Sequence, residues 1–376
     1  MNQEAARIAP IHPSQRFDRI KQALLSEPVY LCPERALLIT QYFKAHANKK
    51  EPVIIQKAKA FRHLLEHKAV HIWPDELIAG NVGTMRRSAI IQPELAGVFM
   101  CEEILWIDKR KTTPHPIAWS DRFKLLKNVI PYWLPRNMIV KAFRGKRRHF
   151  LRYTAEQLGA TYYLINEAGG IGHFLPNYEK ILNIGMQGYL EKLDRDGSEL
   201  HQAIRIACEG LIRFAGRLAN EARRLSESEA NPVRSDELKE LSRILSKVPQ
   251  KPAETFHESL QSLWLAHLAV CLEGLNSAVS FGRIDQYLYP FYQKDLADGR
   301  ITPESAFELL LSFSAKTTEH MFLISERTSQ YHGGYLVAQA ATIGGMAKTG
   351  KDAVNALTYL FLDVMEHAGL RDPNYM

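Results

Sequence analysis

The sequence predicts an α/β fold that is mostly helical, with short strands scattered between helices. Such a pattern suits one large α/β or barrel domain whose helices lie outside. Three observations lead there. Apolar residues recur at helical spacing through most of the 376 residues. The β-like runs are few, short and broken by glycine or proline. Hydrophobic residues at 46% and charged residues at 24% are ordinary for a globular chain of this length, which has ample material for a core.

Ser14 is placed to cap a helix over residues 16–25, where Phe17, Ile20, Ala23 and Leu24 make an apolar stripe. Pro33 suits a first helical turn and opens a helix over 34–46. A third helix covers 53–67, with Ala58, Phe61, Leu64 and Leu65 on its apolar side. Val70-His71-Ile72 and Leu77-Ile78-Ala79 are expected as short strands around the Trp73-Pro74-Asp75 turn, before Gly80 and Gly83 break the pattern. Further helices are expected over 121–130, 178–192, 200–226, 235–245, 253–272, 303–318 and 352–367. Residues 226–234, with Asn231-Pro232, are the most linker-like stretch but too short to separate two domains.

Several function classes drop out on composition. No run approaches the roughly 18 to 20 apolar residues of a membrane span, and residues 1–15 lack the apolar core of a secretory signal. Cys32, Cys101, Cys208 and Cys271 are far apart and form no CxxC pair, so free thiols in a reducing cytoplasm are expected. The net charge of +7 is concentrated in Lys109, Arg110, Lys111, Lys141, Arg144, Lys146, Arg147, Arg148 and Arg152. Phe143 and Phe150 interleave the second group. No nucleic-acid motif accompanies it, so it reads as a solvated face or subunit contact.

Three motifs bear on chemistry. Gly345-Met346-Ala347-Lys348-Thr349-Gly350-Lys351-Asp352 nearly matches a phosphate-binding loop, but Asp352 replaces the hydroxyl that would ligate magnesium. Asp352 is better read as the N-cap of the following helix. His63-Leu64-Leu65-Glu66-His67 matches a zinc signature, yet nothing marks a third ligand, so no metal site is expected. Residues 167–176 place Gly169, Gly170 and Gly172 before His173, then Pro176. That histidine suits either a hydrogen-bonded turn or a presented side chain.

The run Ser280-Phe281-Gly282-Arg283-Ile284-Asp285-Gln286-Tyr287-Leu288-Tyr289-Pro290, followed by Thr342-Ile343-Gly344-Gly345, resembles the pyruvate formate-lyase-like glycyl radical enzymes. Blocks Arg16-Phe17-Asp18-Arg19-Ile20-Lys21, Cys32-Pro33-Glu34-Arg35-Ala36 and Asp75-Glu76-Leu77-Ile78-Ala79-Gly80-Asn81 also resemble that family, as do Pro93-Glu94, Tyr132-Trp133 and Gly172-His173. The opening blocks are closer to the glycerol-dehydratase, choline-lyase and arylacetate-decarboxylase branch than to pyruvate formate-lyase itself. The resemblance implies the first half of a ten-stranded α/β barrel with surrounding helices. In complete members a radical-SAM iron–sulfur activase installs a glycyl radical. That radical takes hydrogen from a cysteine, whose thiyl radical then attacks a small substrate in an enclosed cavity.

Residue by residue, the resemblance implies that His173 binds a substrate hydroxyl. It puts Asn276, Ser277 and Ser280 on an inward-facing strand and Tyr335 at the pocket. Gly282, Arg283, Asp285, Gln286, Gly344 and Gly345 are the implied structural motif. Ala278 stands where dehydratases carry a serine, which argues against a polyol. The thiyl cysteine belongs in a Gly-Cys-x-Glu loop, and none of the four cysteines follows a glycine. The Arg-Val-x-Gly-aromatic radical loop is absent too, so no catalytic residue is carried over and no cofactor is expected in this chain.

The resulting expectation is a single, incomplete domain of the pyruvate formate-lyase type over residues 1–376, with the glycyl radical domain absent. It would be part of a cytoplasmic lyase or dehydratase of anaerobic metabolism, cleaving a C–O, C–C, C–N or C–S bond and inactive alone. Expected partners are a small-molecule substrate, the activase, a separately encoded C-terminal half and, when complete, a second copy. The alternatives are formate acetyltransferase activity, a non-catalytic RNA- or protein-binding remnant, or a nucleotide-dependent enzyme using Gly345 to Lys351.

Overall fold

The computed structural model describes residues 14–47, 50–95, 103–136, 149, 152, 155–156, 173–193, 197–274, 278–331, 337 and 339–376. In chain order come α1 (Gln15–Ser26), β1 (Tyr30–Cys32), α2 (Glu34–Ala45), α3 (Val53–His67) and β2 (Ser88–Ile90). Then follow a 3-10 turn (Ile107–Lys109), α4 (Trp119–Lys124), a π-helical turn (Leu125–Val129), α5 (Ile130–Trp133), α6 (Tyr178–Lys192), α7 (Glu199–Ser228), α8 (Pro232–Lys247) and α9 (Phe256–Glu273). The rest is β3 (Gly282–Arg283), α10 (Ile284–Ala297), α11 (Pro303–Glu319), β4 (His320–Phe322), α12 (Glu326–Tyr331), β5 (Ala340–Thr342), α13 (Ala356–Ala368) and β6 (Asn374–Tyr375).

The helices start where side chains satisfy free backbone N–H groups. Ser14, Asn177, Ser198, Asn231, Thr255, Thr302 and Asn355 each accept such a bond. The strands form two parallel three-stranded sheets, β1-β2-β4 and β3-β5-β6. Tyr30 pairs with Ser88 and Ser88 with His320. Gly282 pairs with Ala341, and Ala341 with Tyr375. α9 is buried along its length, with Leu260, Leu263, Trp264, Leu265 and Leu272 fully enclosed. No helix among the described residues is long and apolar enough to cross a membrane.

Four expectations are corrected. Residues 70–72 and 77–79 are not strands, because α9 side chains satisfy the backbone of the second run. Gln261 donates to the Ala79 carbonyl at 2.9 Å and accepts its N–H at 2.8 Å. Trp264 donates to the Gly80 carbonyl at 3.0 Å, and His257 Nε2 lies 2.7 Å from the Leu77 carbonyl. Asn81 does likewise for the first run, accepting the His71 N–H at 3.1 Å and donating to the Ala69 carbonyl at 3.1 Å. The helix expected to end at 130 continues to Trp133 through the π turn. The linker-like stretch shrinks to 229–231, since α7 runs to Ser228 and α8 opens at Pro232. The last helix begins at Ala356 with Asn355 as its cap, so Asp352 does not cap it.

Inside α6, Gly185 has φ +63 and breaks the helix. The chain at 249–253 fills the notch, its Pro249 and Gln250 carbonyls accepting the Met186 and Gln187 N–H groups at 2.8 and 2.9 Å. A Cβ on Gly185 would lie 2.5 Å from the Gln250 carbonyl oxygen. Gly185→Ala therefore combines left-handed strain with a clash against backbone. It is expected to cost about 2–4 kcal/mol, measured as a lower urea midpoint. An unchanged midpoint would disprove the notch.

Candidate functional site

The site is assembled from three neighbouring chain segments. Residues 278–283 run beside residues 337 and 339–342, with the Ala278 N–H donating to the Val337 carbonyl and the Phe281 N–H to the Ala340 carbonyl, both at 2.7 Å. On the opposite flank the Ser280 N–H donates to the Phe174 carbonyl at 3.0 Å. Ser280 therefore lies between the segment that follows His173 and the one that leads into β5. It precedes the strand proper, which is confined to Gly282–Arg283.

His173 is exposed, with φ +60, and Ala278 has φ +51. Left-handed non-glycine residues are uncommon, and two on adjacent segments mark a place where strain is held. Leu175 closes the gap between these segments by packing on Gly282, where an added Cβ would lie 2.7 Å from Leu175 Cδ1. Ser280 is half-buried. Asn276, Ser277 and Tyr335 lie outside the described residues, as do Gly169, Gly170, Gly172 and Cys101.

The approach to Asn276 and Ser277 is nevertheless held firmly. The buried Arg35 guanidinium donates to the Leu272 carbonyl at 2.7 Å and to the Ile91 carbonyl at 3.3 Å, and it pairs with Glu94. Gln92 donates to the Cys271 carbonyl at 3.2 Å and also to Gly274. These bonds take up carbonyls that the end of α9 would otherwise leave open.

Arg283, Asp285 and Gln286 grip the loop after β5. Arg283 donates to the Met346 carbonyl at 2.8 Å and to Gly344, and Gln286 donates to the Ala353 carbonyl at 2.8 Å. Asp285, fully buried, accepts the Gly344 N–H at 2.7 Å and the Thr358 hydroxyl. Gly344 and Gly345 have φ +64 and +79, a consecutive left-handed pair that suits glycine. These residues bind backbone, and their geometry is that of a clamp.

The other motifs have plain structural roles. Residues 345–353 form a hairpin: Met346 bridges Asp352, and the Ala347 N–H donates to the Lys351 carbonyl at 2.8 Å. α13 starts only at Ala356, so no helix N-terminus faces that loop as a phosphate site requires. Within the zinc-like pattern, Glu66 pairs with Arg62 and Arg213, while His67 Nδ1 lies 2.8 Å from the His63 carbonyl. No group of three or more potential metal ligands occurs among the described residues. Arg110 is no solvated cation: it is buried, pairs with Glu103 and donates to the Ile324 carbonyl at 3.0 Å. Arg152 pairs with Glu156 at 2.6 Å, and Lys141 to Arg148 lie outside the described residues.

Sequence reading missed a buried ion cluster. Lys316 Nζ donates to Glu76 at 2.7 Å and to Glu319 at 2.6 Å, and all three are at most 3% exposed. Burial works against the Lys316 charge, but Glu319 and Glu76 outweigh it and hold its pKa above the usual value. Burial, with the Glu76 charge adding to it, lifts Glu319 above the ordinary carboxylate range despite Lys316. The available signal was Lys316 directly after the largely apolar stretch Leu309 to Ala315, with Glu319 one turn on.

Residues 11–376 match the family described as Pyruvate formate lyase-like. The chain belongs to that family. This pyruvate formate lyase-like chain is 34% identical over 362 residues to an isethionate sulfite-lyase of Oleidesulfovibrio alaskensis, covering 91% of this chain and 43% of that one. Among solved structures it matches a glycyl radical enzyme from Archaeoglobus fulgidus with TM-score 0.89 and 34% identity, over 96% of this chain and 47% of the other. An enzyme described for 1,2-propanediol dehydration in Roseburia inulinivorans gives TM-score 0.90 and 29% identity, over 100% and 48%. The fold is that of the glycyl radical enzyme barrels, and the chain spans about half the length of the relatives it matches.

Several pyruvate formate lyase-like blocks now have a physical meaning, since they hold one another. Arg19 of the first block pairs with Asp75 of the third at 2.7 Å, and Arg35 of the second pairs with Glu94.

Proposed function

We propose that this chain forms the first, substrate-binding half of a glycyl radical lyase or dehydratase acting on a small polar molecule. The observation that carries this reading is that residues 278–283 are hydrogen-bonded to Phe174 on one flank and to Val337 and Ala340 on the other, with strained His173 and Ala278 on adjacent segments. The likeness to an isethionate sulfite-lyase, together with Ala278 in place of a serine hydroxyl, favours C–S cleavage of a small sulfonate over C–O cleavage of a diol. Acetyl transfer to coenzyme A has less support.

Hydrogen abstraction in this reading needs a cysteine after a glycine and a radical glycine, and neither pattern occurs in these 376 residues. The chain would then supply walls that orient substrate and exclude water, while residues of a further polypeptide or segment supply the radical. A radical-SAM activase, a second copy in the complete enzyme and a cytoplasmic setting belong to the same reading.

Anaerobic incubation of the purified chain with such an activase, S-adenosylmethionine and reductant is expected to give no glycyl doublet by electron paramagnetic resonance. Adding a polypeptide that carries both radical loops is expected to produce the doublet and release sulfite from isethionate. A doublet from this chain alone would overturn the reading, as would a radical-bearing assembly that cleaves neither isethionate nor 1,2-propanediol.

A further inference from the structure

His267 sits on α9, 1% exposed, and its ring meets three separate chain segments. The Tyr178 hydroxyl lies 2.7 Å from Nδ1, and Gln339 Oε1 lies 2.6 Å from Nε2. The Phe281 ring stacks on the imidazole with centroids 4.2 Å apart. Phe281 itself is pinned, its carbonyl accepting from the Tyr287 hydroxyl at 2.9 Å.

The hydrogen bonds fix the state of the imidazole. Gln339 Nε2 donates to the Thr317 carbonyl at 2.9 Å, which turns its own carbonyl oxygen towards His267. That oxygen needs a donor, so Nε2 carries the proton and Nδ1 is a bare acceptor. The Tyr178 hydroxyl must then donate to Nδ1. Burial lowers the pKa of His267 to about 4, with the Gln339 bond pulling the other way, so the ring is neutral at pH 7.

Each contact lies where a segment of the candidate site is anchored. Tyr178 opens α6 just after His173. Phe281 follows Ser280 directly. Gln339 leads directly into β5, and its N–H is held by Asp372 at 3.1 Å. We propose that His267 is a positioning residue which, as the Nε2–H tautomer, sets the relative placement of the segments carrying His173, Ser280 and β5. It would thereby shape the substrate cavity without touching substrate. This inference rests on the lyase reading, but its test does not.

The test uses the chain itself. Nitrogen-15 NMR of histidine-labelled protein is expected to show one imidazole with Nδ1 unprotonated and Nε2 protonated, unchanged from pH 8 to 5.5 and lost in His267→Gln. His267→Phe keeps the stacking and removes both hydrogen bonds. It is expected to speed amide exchange at least tenfold at 174–178, 278–283 and 339–342, while α7 and α8 stay as in the parent. His267→Gln, which restores a donor towards Gln339, is expected to recover protection at 339–342. An Nδ1–H tautomer, titration near pH 6.5, or an exchange change that spares these segments or spreads evenly would overturn the proposal. Should His267→Phe fail to fold, the tautomer measured on the parent chain still decides. Failure of the lyase reading would show separately, as absent turnover by the radical-bearing assembly with every NMR result intact.

Discussion

Lys316→Met is expected to lower stability by about 3–5 kcal/mol, the range seen when one partner of a buried ion pair is removed. Lys316 supplies the cation shared by Glu76 and Glu319, and all three are enclosed. Without it, the Glu76 carboxylate keeps one bond from the Trp73 N–H at 2.9 Å and loses its counter-charge. The Glu319 Oε1 atom has no partner even in the parent protein, so that side chain has little to fall back on. The cluster joins the loop at 73–81 to the end of α11, and the cost should therefore appear as global unfolding. Urea denaturation at pH 7 measures it. Lys316→Met combined with Glu76→Gln is expected to recover part of the loss, because a neutral amide is cheaper to bury than an unpaired charge. A single-variant loss below about 1 kcal/mol would show that the cluster contributes little to stability.

Acidification is expected to weaken the fold well before most carboxylates titrate. Burial holds His115 and His267 down to about 4, against an unfolded value of about 6.5. Between those pH values the unfolded chain takes up protons that the folded chain refuses. Stability is full above pH 6.5 and is lost as the pH falls towards 4, by up to about 3 kcal/mol per histidine. His63 and His257, also lowered by burial, add to the effect. Glu319 opposes it, because its raised pKa means the folded state holds an extra proton in the same window. Four groups against one leave a net loss. The urea midpoint should therefore drop between pH 7 and 5, and His267→Gln should flatten that slope. A variant slope equal to the parent's would show that His267 does not titrate as described.

Helices were legible wherever an apolar stripe met a capping side chain. The bounds of α3 and α6 are those expected, and α1 and α11 differ by only a residue or so. α10 was hidden by Pro290, which lies inside it and cannot donate the usual helix bond. The strands were not legible, since each is at most three residues long and takes its partners from distant sequence. Residues 70–72 and 77–79 have strand composition, yet their hydrogen bonds go to Asn81 and to side chains of α9.

The site shows the same division. The glycine turn marks His173 but not its role, which with Ser280 comes only from the family resemblance, because one exposed histidine and one serine carry no periodic signal. The clamp made by Arg283, Asp285 and Gln286 was readable as structural, since a compact Gly-Arg turn needs fixed partners. Lys316 with Glu76, and His267 with Gln339, were beyond reach. Those pairs are 240 and 72 positions apart, and only the folded chain brings them together.

The pairing of β2 with β4 also bears on how the protein is made. Ser88 leaves the ribosome about 230 residues before His320, its partner in the sheet. At translation rates of roughly 5–20 residues per second, β2 waits on the order of ten seconds or more with that edge unsatisfied. Nascent chains stalled in this interval are therefore the species for which chaperone capture matters most, and faster elongation would shorten their exposure.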